Sequence, residues 1–143
     1  MTCSGVIMAK VVYINHIGIV VKNIENSLRF WRDVLEIDLG YTETVPSFNV
    51  DLAFLPVGKT RIELLEPTAS QDNEYYEFLQ SRGPGFHHIC FEVDNIEKMM
   101  EKLKAHDVKL KNETVVELPG RKLAFLEPED SDGVIVELYE LNQ

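Results

Sequence analysis

The sequence predicts an α+β fold of two tandem βαβββ modules, whose curved mixed sheets surround a shared metal-binding cleft. Three observations carry this. The segment His16-Ile17-Gly18-Ile19-Val20-Val21-Lys22-Asn23-Ile24-Glu25 returns 72 residues later as His88-Ile89-Cys90-Phe91-Glu92-Val93-Asp94-Asn95-Ile96-Glu97. Leu52-Ala53-Phe54-Leu55 leads to Ile62-Glu63-Leu64, as Leu123-Ala124-Phe125-Leu126 leads to Val136-Glu137-Leu138. Each half also runs through the same signals: a β-branched run, an amphipathic helix opened by Asn, and three further strand-like runs.

Val11–Val21 is dense in β-branched residues and reads as the first strand. Asn23 offers a helix N-cap with Glu25 in the first turn, and Ile24, Leu28, Trp31 and Leu35 fall at helical spacing on one face. Strands follow at about 41–46, 49–56 and 60–66, separated by Pro46 and Gly58-Lys59 and closed by Pro67. Thr68–Gln71 is a polar loop. Residues 72–82 form a linker helix with Tyr75, Phe78 and Leu79 on one face, stopped by Gly83-Pro84-Gly85. The second module has a strand at 86–93 and a helix from about Asn95. In that helix Ile96, Met100 and Leu103 repeat Ile24, Leu28 and Trp31. Strands at about 108–117, 121–127 and 133–140 complete it, the last preceded by the turn Glu129-Asp130-Ser131-Asp132-Gly133. Residues 1–10 read as a disordered leader and 11–143 as a single domain: module one about 11–67, linker about 68–84, module two about 85–143.

The chain has 143 residues, enough for one domain with a substantial core. A net charge of -10 disfavours nucleic acid and anionic membrane surfaces as partners, without excluding an anionic small-molecule substrate met by a local basic patch. No run approaches the roughly 20 apolar residues of a membrane span. Cys3 in the leader and Cys90 in a buried strand make a structural disulfide improbable, which fits a reducing cytoplasm.

Strand alternation puts His16 on a face with Gly18 and Val20, His88 with Cys90 and Glu92, Glu63 with Arg61 and Leu65, and Glu137 with Ile135 and Tyr139. A lone strand histidine is more often a structural residue than a ligand, and a lone glutamate more often lies on the wet face. Here two histidines and two glutamates hold equivalent positions in a repeat, and both glutamates interrupt apolar runs. Burying an unpaired carboxylate costs several kcal/mol, on the order of ordinary desolvation penalties, so each requires a cation or a hydrogen-bonded partner. A divalent ion satisfies both, with two borderline nitrogens and two hard oxygens as ligands. The competing reading is a repeated His–Glu hydrogen bond without metal. His87 is expected on the other sheet face, as a structural residue or one that supports the ligands from behind, and His106 near a helix end is assigned no chemistry.

These residues also carry a family likeness. The sequence resembles the vicinal oxygen chelate superfamily, which includes glyoxalase I, methylmalonyl-CoA epimerase, extradiol dioxygenases and antibiotic-resistance proteins, and is most similar to the epimerase branch. The supporting stretches are the first histidine segment, Ile62-Glu63-Leu64-Leu65-Glu66-Pro67, Gly85-Phe86-His87-His88-Ile89-Cys90-Phe91-Glu92-Val93, and Pro128-Glu129-Asp130-Ser131-Asp132-Gly133-Val134-Ile135-Val136-Glu137-Leu138. The resemblance implies one divalent ion (cobalt, nickel, zinc, manganese or iron) on His16, Glu63, His88 and Glu137, an acyl-CoA substrate, and a homodimer. It implies inversion at the carbon between a thioester and a carboxylate, with Glu137 as one of two proton-transferring bases. The other base of the family is an acid after a proline, where this chain has Ser47 in Val45-Pro46-Ser47-Phe48-Asn49-Val50. A hydroxyl is no carboxylate base, and the nearby acids Glu43 or Asp51 would take its place only after a change of register. Arg121 and Lys122 follow the turn where epimerases meet Coenzyme A, and are the expected substrate-binding residues; Lys59 reads as a solvated turn charge and Arg61 as a further cation able to meet phosphate.

Two other functions compete. A glyoxalase I-like lactoylglutathione lyase needs the same four ligands and only one metal-bound shuttle, but bacterial members hold an arginine where this chain has Val20. A non-catalytic small-molecule-binding resistance protein commonly loses ligands that are all retained here.

Overall fold

A computed structural model describes residues 6–142. Among them are eight strands: β1 Val11–Val20, β2 Tyr41–Val45, β3 Val50–Val57, β4 Thr60–Pro67, β5 Gly85–Val93, β6 Val116–Leu118, β7 Arg121–Phe125 and β8 Val136–Leu141. Three helices accompany them: α1 Ile24–Leu28, which continues as a π-helical stretch over Arg29–Val34, α2 Glu74–Arg82 and α3 Ile96–Ala105. The expected βαβββ order is present twice, and the fold is α+β.

The described chain forms two compact units, His16–His87 and the described part of Met1–Asn15 with His88–Gln143. The division between them falls within β1, between Asn15 and His16. In the His16–His87 unit the end of β1 runs parallel to β4, and β4, β3 and β2 follow antiparallel. Its helix-facing core joins Val21, Leu28, Ala53, Leu55 and Leu64, with Ile24 and Trp31 packed against it. In the other unit β5 runs parallel to β8, and β8, β7 and β6 follow antiparallel. Val93, Ile96, Met99, Met100, Ala124, Leu126 and Leu138 form its core. The start of the chain belongs here because Asp94 N–H donates to Lys10 O and the Asn15 amide to Glu92.

Each helix starts on an asparagine whose side-chain oxygen accepts a backbone N–H of the first turn: Asn23 from Asn26, Asn73 from Tyr75 and Tyr76, Asn95 from Lys98. A second anchor was not read from the sequence. Glu66 accepts the Ile24 N–H at 2.8 Å, and Glu140 accepts the Ile96 N–H at 2.8 Å. A carboxylate at a helix N-terminus complements both the open donors and the dipole.

The leader assignment of 1–10 changes at its end. Ala9 is buried in the α3-side core, since a methyl side chain fits beneath the helix and Lys102 Nζ donates to the Ala9 carbonyl; residues 1–5 lie outside those described. The first helix also differs. Leu35 N–H bonds to Phe30 O, five residues back, and this wider turn rotates Leu35 out of the predicted apolar face to 46% exposure. The strand expected at 108–117 shrinks to a bridge at Leu110 and the short β6, because the Asn112 side chain takes the Phe125 N–H that a longer ladder would use.

Candidate active site

The His16–His87 unit has an apolar face under its helix and a second face that carries chemistry. Strand pairing sets His16 beside Arg61 and Gly18 beside Glu63, and sets Glu63 opposite Phe54. Alternation keeps these side chains on one face. His16 Nε2 lies 3.4 Å from Glu63 Oε1, and the His16 ring meets Phe54 edge-on, centroids 5.8 Å apart at 76°. His16 is 0% and Glu63 3% exposed.

The His88–Gln143 unit repeats this arrangement with its own atoms. Cys90 lies beside Glu137, and Glu137 opposite Phe125. His88 Nε2 lies 3.1 Å from Glu137 Oε1, and the His88 ring meets Phe125 edge-on at 5.9 Å and 78°. His88 is 1% and Glu137 4% exposed. Each unit therefore buries a carboxylate against an imidazole and backs both with a phenylalanine ring. The two phenylalanines were visible in the Leu-Ala-Phe-Leu repeat but carried no role in the sequence reading.

Buried carboxylates beside imidazole nitrogens suit a divalent cation, which offsets the desolvation penalty of the charge and takes imidazole and carboxylate as ligands. The four residues named from the sequence thus pair by unit, His16 with Glu63 and His88 with Glu137. The donor chemistry of each pair fits such an ion.

The faces also sort the remaining candidates. Arg121 lies on the His88–Glu137 side; it is 8% exposed, its Nε donates to the Tyr139 hydroxyl at 3.3 Å and its Nη1 to Pro119 O at 3.0 Å. Lys122, one residue on, points to the α3 side and sits 3.2 Å from Glu97 Oε2. Glu97 beside it raises the Lys122 pKa above the usual lysine value. Arg61 spreads its guanidinium over the Phe54 ring, 4.1 Å from the centroid, and donates to the Tyr41 hydroxyl. Glu43 pairs with Leu52, which pairs with Leu65, so Glu43 shares the face of His16 and Glu63. Asp51 pairs with Thr44 and Glu66 on the helix side, where it accepts the Thr44 hydroxyl at 2.7 Å. Ser47 is exposed in the turn Pro46–Phe48. His87 is packed against Tyr75 and Phe78, centroids 5.2 and 5.0 Å away, in agreement with a structural residue.

A family model described as the Glyoxalase/Bleomycin resistance protein/Dioxygenase superfamily matches residues 15–125. The chain belongs to that superfamily. Mitochondrial methylmalonyl-CoA epimerase of Mus musculus is 36% identical over 129 residues, which cover 89% of this chain and 72% of the relative. Among solved structures, a hypothetical protein from Bacillus halodurans C-125 superposes with a TM-score of 0.87 at 36% identity, over 94% of this chain and 96% of that one. Methylmalonyl-CoA epimerase of Streptomyces coelicolor, solved as an E43Q variant in complex with 2-nitronate-propionyl-CoA, reaches a TM-score of 0.88 at 25% identity, over 94% and 100%.

Proposed function

We propose that the protein is a divalent-metal-dependent isomerase that interconverts (R)- and (S)-methylmalonyl-CoA by moving the α-proton. The observation that supports this most is the pairing of a buried imidazole and carboxylate, backed by phenylalanine, in both units: His16, Glu63 and Phe54, and His88, Glu137 and Phe125. The epimerases among its relatives supply the substrate class.

In this reading His16, Glu63, His88 and Glu137 would hold one cobalt, nickel, zinc, manganese or iron ion. When bound, the ion would supply Lewis acidity toward the oxygens flanking the acidic α-carbon. Glu137 takes the α-proton as a general base, in an environment poor in water and walled by Phe125. Such a base contributes about 10²–10⁴-fold to a rate when positioned. Phe54 and Phe125 exclude solvent and hold the imidazoles in fixed orientation. Arg121 meets the anionic part of the acyl-CoA, while Lys122 is engaged by Glu97 on the other face. The working form is a cytoplasmic homodimer.

Two measurements test the proposal. Protein reconstituted with each metal is incubated with (R)- or (S)-methylmalonyl-CoA in heavy water, and deuterium at the α-carbon is followed. Exchange with inversion is expected; its absence, together with turnover of a hemithioacetal, moves the reading to a glyoxalase I-like lactoylglutathione lyase. Metal content is measured after chelation and reconstitution, for the protein and for His88→Ala. If the protein itself never holds near-stoichiometric metal, the metalloenzyme reading fails.

A further inference from the structure

Arg121 alone among the lysines and arginines of the described residues is buried, at 8% exposure. Its backbone is fixed on both sides. Gly120 ahead of it takes a left-handed φ of 80°, which closes the Pro119-Gly120 turn. Arg121 then pairs with Leu141, and the Asn142 N–H donates to Gly120 O at 2.9 Å. Alternation puts Arg121 on the face of Phe125 and Glu137, at the far end of the same strands. A guanidinium in that place is costly to bury unless oxygens are arranged to meet it.

Given the acyl-CoA reading above, on which this rests, we propose that Tyr139 is a positioning residue: its hydroxyl holds the Arg121 guanidinium in the plane that receives an oxyanion of the substrate. The Tyr139 hydroxyl accepts the Arg121 Nε–H at 3.3 Å, and Pro119 O accepts from Nη1 at 3.0 Å. The guanidinium carbon lies 5.8 Å from the centre of the Tyr139 ring. Two bonds to different nitrogens fix the plane of a rigid group. Both acceptors are neutral oxygens, so these bonds orient the guanidinium without cancelling its charge. Tyr139 is itself 2% exposed, set between Leu123 and Glu92 on the neighbouring strands. It follows Glu137 by two residues on β8, about 7 Å along the strand. The register that presents the base therefore also presents the group that aims the cation.

Recognition of a carboxylate or phosphate by arginine is bidentate and directional, and it is strongest where the side chain is ordered before the ligand arrives. A methylmalonyl-CoA offers two kinds of oxyanion, the free carboxylate of the acyl group and the phosphates of Coenzyme A. Loss of the hydroxyl alone should weaken binding of whichever of these Arg121 meets, while the ring and its apolar packing stay. A hydroxyl that merely satisfied a buried N–H would lower stability and leave ligand selectivity untouched.

The test is calorimetric titration of metal-loaded protein with malonyl-CoA, propionyl-CoA and malonyl-pantetheine, the second lacking the carboxylate and the third the phosphates. Tyr139→Phe is expected to raise the Kd for malonyl-CoA about ten-fold, near the lower end for a hydrogen bond to a charged group, with metal content unchanged. The penalty should vanish for one of the truncated ligands: for propionyl-CoA if the oxyanion is the carboxylate, for malonyl-pantetheine if it is a phosphate. In protein that already carries Arg121→Ala, adding Tyr139→Phe should weaken binding by less than about two-fold, because the hydroxyl then has no guanidinium to aim. An unchanged Kd for malonyl-CoA in Tyr139→Phe overturns the assignment. So does a penalty equal for all three ligands, or a full second loss on top of Arg121→Ala. If the unaltered protein binds none of the three ligands, the acyl-CoA reading itself is what has failed.

Discussion

Glu140 on β8 accepts the backbone N–H of Ile96, the first residue of α3, at 2.8 Å. Glu66 on β4 does the same for Ile24, the first residue of α1. Each follows a buried site glutamate by three residues (66 − 63 and 140 − 137), so it points to the opposite face of the sheet. One short strand thus presents a site carboxylate on one face and a helix anchor on the other. The register that seats the helix is the register that aims the site.

Replacement of Glu140 by alanine therefore removes a charge-assisted bond to an otherwise open helix donor. A loss of about 1–2 kcal/mol is expected, or roughly 3–6 °C in melting temperature for a chain of this size. Glu140→Gln, whose amide oxygen still accepts, falls between. Metal content stays unchanged. A Glu140→Ala protein that melts with the unaltered one would show that the Asn95 cap suffices alone.

Asn15 tests how the start of the chain is tied to its unit. Its amide donates to Glu92 Oε1 at 3.1 Å, and Glu92 Oε2 accepts the Leu141 N–H at 3.0 Å. Both side chains are buried, Asn15 at 2% exposure and Glu92 at 9%. Asn15→Ala takes away one donor from a buried carboxylate and is expected to cost about 1–3 kcal/mol, read as a lower urea midpoint with an unchanged slope. An unchanged midpoint would mean that the Leu141 N–H satisfies Glu92 by itself.

Much of this was legible because repetition and alternation are properties of the sequence itself. The offset between His16 and His88 located both imidazoles, and the glutamates that interrupt apolar runs located their partners. What escaped depends on local competition that a pattern does not encode. The widened turn after Leu28 displaced Leu35, and the Asn112 side chain cut short a strand of good propensity. The first half of β1 sided with the second module through contacts no pattern announces: the Asn15 amide on Glu92 and the backbone bond of Asp94 to Lys10. Arg121 and Lys122 looked equivalent as neighbours, yet their one-residue offset decides which face each serves.

That difference separates their mutants. Arg121→Ala is expected to raise KM for an acyl-CoA substrate, whereas Lys122→Ala leaves KM within about two-fold, since its ammonium is held by Glu97 on the helix side. A comparable rise in both would place Lys122 at the substrate after all. Lys122 also gives a pH signature. Its pKa is raised by Glu97, so the pair's contribution is complete below the ordinary lysine value and fades as pH climbs through the raised one. The gap in melting temperature between the protein and Lys122→Met, small for an exposed pair, should persist to pH 9 and close in stronger alkali.

Phe54 and Phe125 stand in matching places but in unequal company, and this sets an order of stability. Each meets its histidine edge-on, at 5.8 and 5.9 Å, so that contribution is common to both. Phe54 in addition stacks on Tyr41 at 4.8 Å and lies under Arg61 at 4.1 Å. Phe125 has only Lys111 over its ring, at 5.9 Å, among the cation–ring contacts of the described residues. An aromatic pair adds about 0.5–1.5 kcal/mol beyond buried area, and a partly exposed cation over a ring about 0.5–1 kcal/mol. Leucine keeps most of the apolar volume at either position but none of these ring contacts. Phe54→Leu should therefore destabilise by about 1–2 kcal/mol more than Phe125→Leu. Urea unfolding of the two variants side by side measures the difference, and coincident midpoints would mean that Tyr41 and Arg61 add nothing through the ring.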